Sequence, residues 1–194
     1  MRSVNDVAPT LATARLRLRP LAADDVELLW PFVSDPAHRR FMTWAAHRHR
    51  AETAAFVAST EKARRDGRGT TFAVHADGAL VGLVGLDDIT DRIRAWGAEH
   101  AQLGYWIGPP FQGRGYATEA AAAVVDFAFD AVGVHKVSSM ALAENDRSRH
   151  VLAKLGFRSI GVQRAHLFGE GRWWDAVLYE LLADERRPGT AEGR

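Results

Sequence analysis

The alternation of apolar and polar residues changes period several times along the chain. Leu16 and Leu18 alternate with Arg15, Arg17 and Arg19, which predicts a strand over 15–20 with one wet face. Asp24 or Asp25 can cap a helix through Val26, Leu28, Leu29 and Trp30, with Pro31 and Pro36 bracketing its end. A second helix is expected from about Glu52, carrying Ala55, Phe56, Ala58 and Ser59 towards Arg65 and ending at Gly67. Residues 70–75 and 80–86 then read as strands joined by the hairpin turn Asp77-Gly78, and residues 101–107 as a third. Helical spacing returns over 118–132 in Ala121, Val124, Val125, Ala128 and Phe129, with Thr118 as cap and Glu119 as first-turn acid. A strand over 136–142, a helix over 145–155 stopped by Gly156, and strands over 157–167 and 173–182 complete the pattern.

The order is one strand, two helices, three strands, helix, strand, helix, two strands. That predicts an α+β (mixed α/β) domain around a central sheet. The three middle strands should form an antiparallel meander, and the strands flanking the long helix can be parallel neighbours. Residues 1–12 and 185–194 lack periodicity and are expected to be flexible ends of one domain spanning 13–184.

Composition narrows the function classes. The chain has 194 residues, 47% apolar and 25% charged, which is a globular profile. Its 25 basic and 24 acidic residues leave a formal net charge of +1, so a nucleic-acid partner is not expected. With no cysteine, disulfides, thiolate metal sites and thiol catalysis are excluded. No apolar run is long enough for a membrane span, and the first residues have no signal-peptide pattern, so a cytoplasmic protein without membrane partner is expected.

Chemistry concentrates in residues 108–119, Gly-Pro-Pro-Phe-Gln-Gly-Arg-Gly-Tyr-Ala-Thr-Glu. Two prolines stop a strand, Gly113 and Gly115 free the backbone, and a helix opens. Converging N–H groups at a helix N-terminus are suited to phosphate. No lysine follows either glycine, so the P-loop pattern fails, and the dinucleotide pattern fits poorly. A Gln-x-x-Gly-x-Ala phosphate loop and a plain strand-to-helix turn stay open.

The run Gln112-Gly113-Arg114-Gly115-Tyr116-Ala117, followed by Thr118-Glu119-Ala120, resembles the pyrophosphate loop of the GNAT acetyltransferases. Asn145-Asp146-Arg147-Ser148 and Lys154-Leu155-Gly156-Phe157 resemble that family's second signature. Residues 13–19 and 171–182 resemble its RimJ/RimL subgroup, which acetylates protein N-termini and small amines. The resemblance spans residues 13–182. It implies a mostly antiparallel twisted sheet of about seven strands, flanked by helices and splayed in the middle to hold acetyl-CoA as co-substrate. The pantetheine arm would lie along Leu103, Gly104, Tyr105, Trp106 and Ile107, and Gln112, Gly113, Arg114, Gly115, Tyr116, Ala117 and Thr118 would take the pyrophosphate. Asn145 would meet the pantetheine, or serve only as an N-cap.

One departure matters. The tyrosine that many members carry seven residues after the motif asparagine is Leu152 here. Ser148, one turn earlier on the same face, is the candidate general acid, as in Rim-type members. A serine bonded to its own helix backbone is the alternative.

For the base, Asp87, Asp88, Asp91 and Glu99 are the acidic candidates. Asp88 (through a water) and Glu99 are carried forward, with His100 as a further possibility. Rim-type relatives often have glutamate where this chain has Gln102. Deprotonating a lysine-like amine at pH 7 costs roughly 4 to 5 kcal/mol, an α-amine only about 1 kcal/mol. Asp175 resembles a recurrent aspartate of the subgroup.

Residues 36–68 hold eight basic side chains against Glu52, Glu61 and Asp66, which fits an anionic acceptor or a solvated face. His47 and His49 lack the spacing of a zinc site, and no metal is expected. Trp44, Trp173 and Trp174 can grip a substrate or pack the hairpin. The reading is direct acetyl transfer from acetyl-CoA to a primary amine in a ternary complex, by a monomer or homodimer. The alternative is a non-catalytic acyl-CoA sensor of the same fold, favoured by Leu152 and Gln102.

Overall fold

A computed structural model describes residues 9–93 and 96–186. The strands are β1 (Leu11–Ala12), β2 (Arg17–Pro20), β3 (Thr70–Ala76), β4 (Ala79–Ile93), β5 (Trp96–Ile107), β6 (Lys136–Leu142), β7 (Arg158–Gly169) and β8 (Arg172–Leu182). The helices are α1 (Val26–Val33), α2 (Arg50–Arg65), α3 (Tyr116–Phe127) and α4 (Asp146–Lys154). The strands form one eight-stranded sheet in the order β1-β2-β3-β4-β5-β6-β8-β7. Every pairing is antiparallel except β5–β6.

The period-two pattern sorts side chains onto two cores. Leu18, Phe72, Val84, Leu103 and Leu181 point to the face covered by α3 and α4, where they meet Val124 and Leu152. Ala73, Leu80 and Leu83 point to the opposite face, against Leu29 of α1 and Val57 of α2. On that second face Trp106 packs with Phe32, their rings 5.8 Å apart.

Several elements depart from the sequence expectation. Leu11 and Ala12, expected in a free end, pair with Leu18 and Arg17 and add an eighth strand. At the other end Arg158 holds Glu185 at 2.6 Å, and Arg186 reaches Asp130 at 2.7 Å. The remainder of the expected flexible ends, 1–8 and 187–194, lies outside the described residues. Strands β4 and β5 run past the expected 80–86 and 101–107, sustained by ladder bonds as far as Ile93↔Trp96. Pro31 sits inside α1 rather than after it. Helix α3 starts two residues before Thr118, with left-handed Gly115 (φ 81°) as its N-cap. Its expected last turn, Ala128–Val132, is a π turn closed by Gly133.

The β7 edge is irregular. Its register with β8 shifts between Ser159 and Gly161 and again between Gln163 and Leu167. At the second bulge Ala165 has φ 48°, and its N–H donates to Asp175 Oδ1 at 2.7 Å. Asp175 therefore pins a bulge.

One buried ion pair anchors the front of the sheet. Asp25, fully buried, takes both arms of Arg19 at 2.7 and 2.6 Å and the Ala22 N–H at 3.0 Å. Burial alone would raise its carboxyl, but the Arg19 and Ala22 hydrogen bonds outweigh that and hold it below the usual range. Such a group contributes stability above its unfolded pKa near 4, lost as pH falls through the lower folded value. Asp25→Asn should lower the unfolding free energy by about 3 kcal/mol in urea titrations at pH 7. The difference from wild type should shrink as pH falls below about 4.

Candidate functional site

The parallel ladder between β5 and β6 is short. It runs from His100↔Lys136 to Leu103↔Ser139 and stops. At that point the buried Ser139 hydroxyl donates to the Leu103 carbonyl at 2.9 Å. Beyond it β5 stays paired with β4 through Ile107, and β6 stays paired with β8 through Leu142. Gly104 to Ile107 and Met140 to Leu142 therefore face an opening, whose far ends are closed off where the Ile107 carbonyl accepts from Gln112 and the Leu142 carbonyl accepts from the Asn145 N–H. An added Cβ at Gly104 would meet nothing within 4 Å.

The glycine loop closes one end of this opening. Gly113 (φ 77°) and Gly115 (φ 81°) are both left-handed, which the sequence requires glycine to supply. The first α-helical bond of α3 is Glu119 N–H to Gly115 O at 3.1 Å, so the N–H groups of Tyr116, Ala117 and Thr118 precede the ladder. Those amides, and the open space at Gly113, form a cradle that fits a pyrophosphate.

The side chains of the loop mostly hold the loop. Gln112 Nε2 donates to Ile107 O at 2.9 Å, and its Oε1 accepts from Arg147 at 3.0 Å. Arg114 folds back to Pro110 O at 3.1 Å. A partner that no local pattern reveals comes from the amino end. Arg15 Nε donates to Glu119 Oε2 at 2.7 Å, its Nη1 donates to Arg114 O at 2.9 Å, and the Thr13 hydroxyl donates to Glu119 Oε1 at 2.6 Å. Partial burial alone would raise the Glu119 carboxyl, but the Thr13 and Arg15 contacts together hold it below its usual range. Arg15 and Arg147 flank a loop that already carries Arg114, giving it a positive setting.

Across the opening, Tyr105 Oη lies 3.0 Å from Ser148 Oγ and 3.1 Å from Ser148 O. The Ser148 hydroxyl is thus paired with β5. Burial pushes the Tyr105 hydroxyl up to about 12, with the Ser148 contact opposing the rise. Asn145 Oδ1 accepts the Ser148 N–H at 3.2 Å, so Asn145 is the N-cap of α4. Leu152 is completely buried in the core and does not reach the opening.

The acidic candidates are dispersed. Glu99 sits just before the closed end of the ladder, its carbonyl taken by His135 N–H at 2.7 Å. It precedes Gly104 by five residues, about 16 Å of strand. His100, at the first ladder pair, bonds Ser138 Oγ at 2.7 Å, and burial and Lys136 lower its pKa. Asp88 sits exposed on a β4 bulge with φ 49°. Asp87, opposite Gln102, is nearer the opening. Its side chain stays open to solvent, yet the surrounding atoms and the Asp88 charge push its carboxyl up. The Asp91 side chain lies outside the described residues.

Known proteins share the sequence pattern and the fold. The acetyltransferase (GNAT) domain family matches residues 15–158. RimJ from Mycobacterium smegmatis, solved with CoA-disulfide, superposes with a TM-score of 0.82 at 28% identity, over 92% of this chain and 90% of its own. The spermidine N(1)-acetyltransferase of Escherichia coli K12 is 28% identical over 90% of this chain and 92% of its own length. The ribosomal protein uS5-alanine N-acetyltransferase of the same strain is 32% identical over 55% of each chain.

The chain belongs to the GNAT acetyltransferase family. Within it the similarity is to RimJ/RimL-like N-acetyltransferases, and the enzyme class is N-acetyltransferase. No helix among the described residues is long and apolar enough to cross a membrane.

The latch from Arg15 to Glu119 should matter for cofactor affinity and little for the fold. Glu119→Gln and Arg15→Ala should each weaken CoA binding about tenfold by calorimetry, the loss of one or two charge-assisted hydrogen bonds. Thermal midpoints should move by less than about 4 °C.

Proposed function

We propose that this protein transfers the acetyl group of acetyl-CoA directly to a primary amine while both are bound. The observation that carries the reading is the interrupted β5–β6 ladder, open along Gly104 to Ile107 and ending at the Gly113–Gly115 cradle. An extended pantetheine arm can take the unpaired β5 main chain as an added strand would, with its pyrophosphate on the α3 N-terminus. The relatives bearing this fold include one solved with CoA-disulfide and one named for acetylating spermidine. Such a reaction also fits the cytoplasmic setting expected from the sequence.

The amine nitrogen attacks the thioester carbonyl to form the C–N bond, the C–S bond breaks, the nitrogen's proton passes to water, and the CoA thiolate is protonated to the free thiol. Main-chain N–H groups on the open β5 lip are suited to stabilise the oxyanion. No cysteine is available to carry an acyl intermediate. The departing thiolate takes a hydrogen bond from Ser148, which is the general-acid candidate. Tyr105 sets which way that hydroxyl points. When Tyr105 donates to Ser148 Oγ, the serine proton is free for the opening; when Tyr105 donates to Ser148 O, the serine proton turns back to the tyrosine. The raised pKa keeps Tyr105 protonated at neutral pH. Gln102 cannot act as base, Asp88 and Glu99 are not brought to the open lips, and Asp87, opposite Gln102 with its carboxyl pushed up, is the carboxylate nearest the opening among these described candidates.

Release of CoA thiol from acetyl-CoA with a panel of amines, beside CoA binding by calorimetry, tests this. Gly115→Glu should abolish both CoA binding and turnover, because the side chain is strained at φ 81° and its Cβ would crowd the Arg15 guanidinium that latches the loop. Ser148→Ala should lower kcat about tenfold or more with CoA affinity unchanged. Tyr105→Phe should move kcat in the same direction by less. Tight CoA binding without turnover on any amine would instead identify a sensor.

A further inference from the structure

A cavity of about 260 Å³ lies between the segment from Arg40 to Ala45, the end of β6 and the β7–β8 hairpin. Its walls include Met42, Trp44, Leu142, Phe168 and Trp174. Two contacts place it at the mouth of the opening. Leu142 is the last residue of the β6 lip. The buried His38 ring packs 5.1 Å from Trp106 on the β5 lip and 6.4 Å from Trp44 in the cavity wall. Trp174 is a fixed wall: its Nε1 donates to Gly169 O at 2.9 Å, and Phe41 meets it edge-on at 6.4 Å.

The charges of the cavity speak against a polyamine. Among the described residues its charged lining groups are Arg40 and Glu170, one of each sign. The Trp174 ring, which could otherwise attract a cation, already carries the Arg172 guanidinium 3.4 Å from its centroid. That guanidinium is in turn neutralised by Glu144 at 2.8 Å. A chain of ammonium groups would find apolar walls and no surplus of carboxylate.

An independent observation concerns the base. Glutamine stands at position 102, Glu99 sits beyond the closed end of the ladder, Asp88 is exposed on its bulge, and Asp87, opposite Gln102, is open to solvent with no hydrogen-bond partner holding it toward the opening among the described residues. A site in which no carboxylate among the described residues is buried against the open lips favours an amine that is substantially neutral unaided. At pH 7 about one α-amine in ten is neutral, against about one lysine-like amine in two thousand.

We propose that the acceptor is the α-amino group of a residue with an aromatic or bulky apolar side chain, and that this side chain fills the cavity walled by Trp44 and Trp174. This rests on the transfer reading above. The same chemistry occurs at a peptide N-terminus and in an amino-acid amide.

The test uses the full chain with saturating acetyl-CoA and follows CoA thiol release. Acceptors are phenylalaninamide, a Phe-starting peptide, glycinamide, an Ala-starting peptide and spermidine. Phenylalaninamide or the Phe-starting peptide should exceed glycinamide, the Ala-starting peptide and spermidine in kcat/KM by about tenfold or more. Which of the two Phe acceptors is faster identifies the source. Trp44→Ala, at a half-buried position, should raise KM for the preferred Phe acceptor about tenfold and leave both its glycinamide KM and CoA binding unchanged. Met42→Glu should reverse the preference towards spermidine. Spermidine, glycinamide or the Ala peptide at equal or higher kcat/KM, or an unaffected Trp44→Ala, overturns the assignment while transfer stands. CoA binding without turnover on any amine overturns transfer and this assignment together.

Discussion

The rest of the structure depends on a ladder that is not completed. Two parallel strands would ordinarily satisfy one another along their whole length, because unpaired main-chain groups are costly when dry. Here β5 and β6 share only Leu103↔Ser139 and the three pairs before it. The Ser139 hydroxyl takes up the Leu103 carbonyl at the divergence point, so the vertex is satisfied without another ladder bond. Each strand beyond it is held by its outer neighbour, β4 or β8, while the inner edges diverge, with only the carbonyls at their far ends, Ile107 and Leu142, taken up by Gln112 and Asn145. The sheet therefore presents the edge of a strand in its own middle. The glycine loop follows directly from the end of one such lip.

The two faces of the sheet divide the chemistry between them. Tyr105 and its neighbours Leu103 and Ile107 belong with α3 and α4, where Ser148 projects. Trp106 belongs with α1 and α2. Gly104 sits between Gln102 and Trp106 on that second face and leaves it uncovered, opposite Gly85. Alternation along five residues of one strand thus supplies a hydroxyl partner for one face, an aromatic wall for the other and a gap between.

Local chemistry made much of this legible in the sequence. The β3–β4 turn, the glycine loop and the β6 strand announce themselves in a few adjacent residues, and the parallel β5–β6 pairing followed from the helix between them. Elements that rest on distant partners did not. The outer ends of β4 and β5 have no clean alternation, and mutual pairing creates them. Thr118 has the chemistry of a cap, yet Gly115 takes the position because its left-handed backbone ends the loop there. The candidate base positions also failed to converge, since spacing along a strand does not reveal where a bulge such as that at Asp88 turns a side chain. Leu152 illustrates the reverse: its identity alone showed that the usual hydroxyl was missing, and its burial shows that the core has absorbed the position.

The arm that latches the glycine loop has a consequence for how the protein comes into being. Arg15 and Glu119 are separated by 104 positions. Contacts of such long range close slowly, because the loop entropy must be overcome before the contact repays it. On the ribosome the arm emerges before Glu119 and waits while three long strands and two helices are made between them. The glycine loop accordingly cannot be latched until the chain has been made as far as α3.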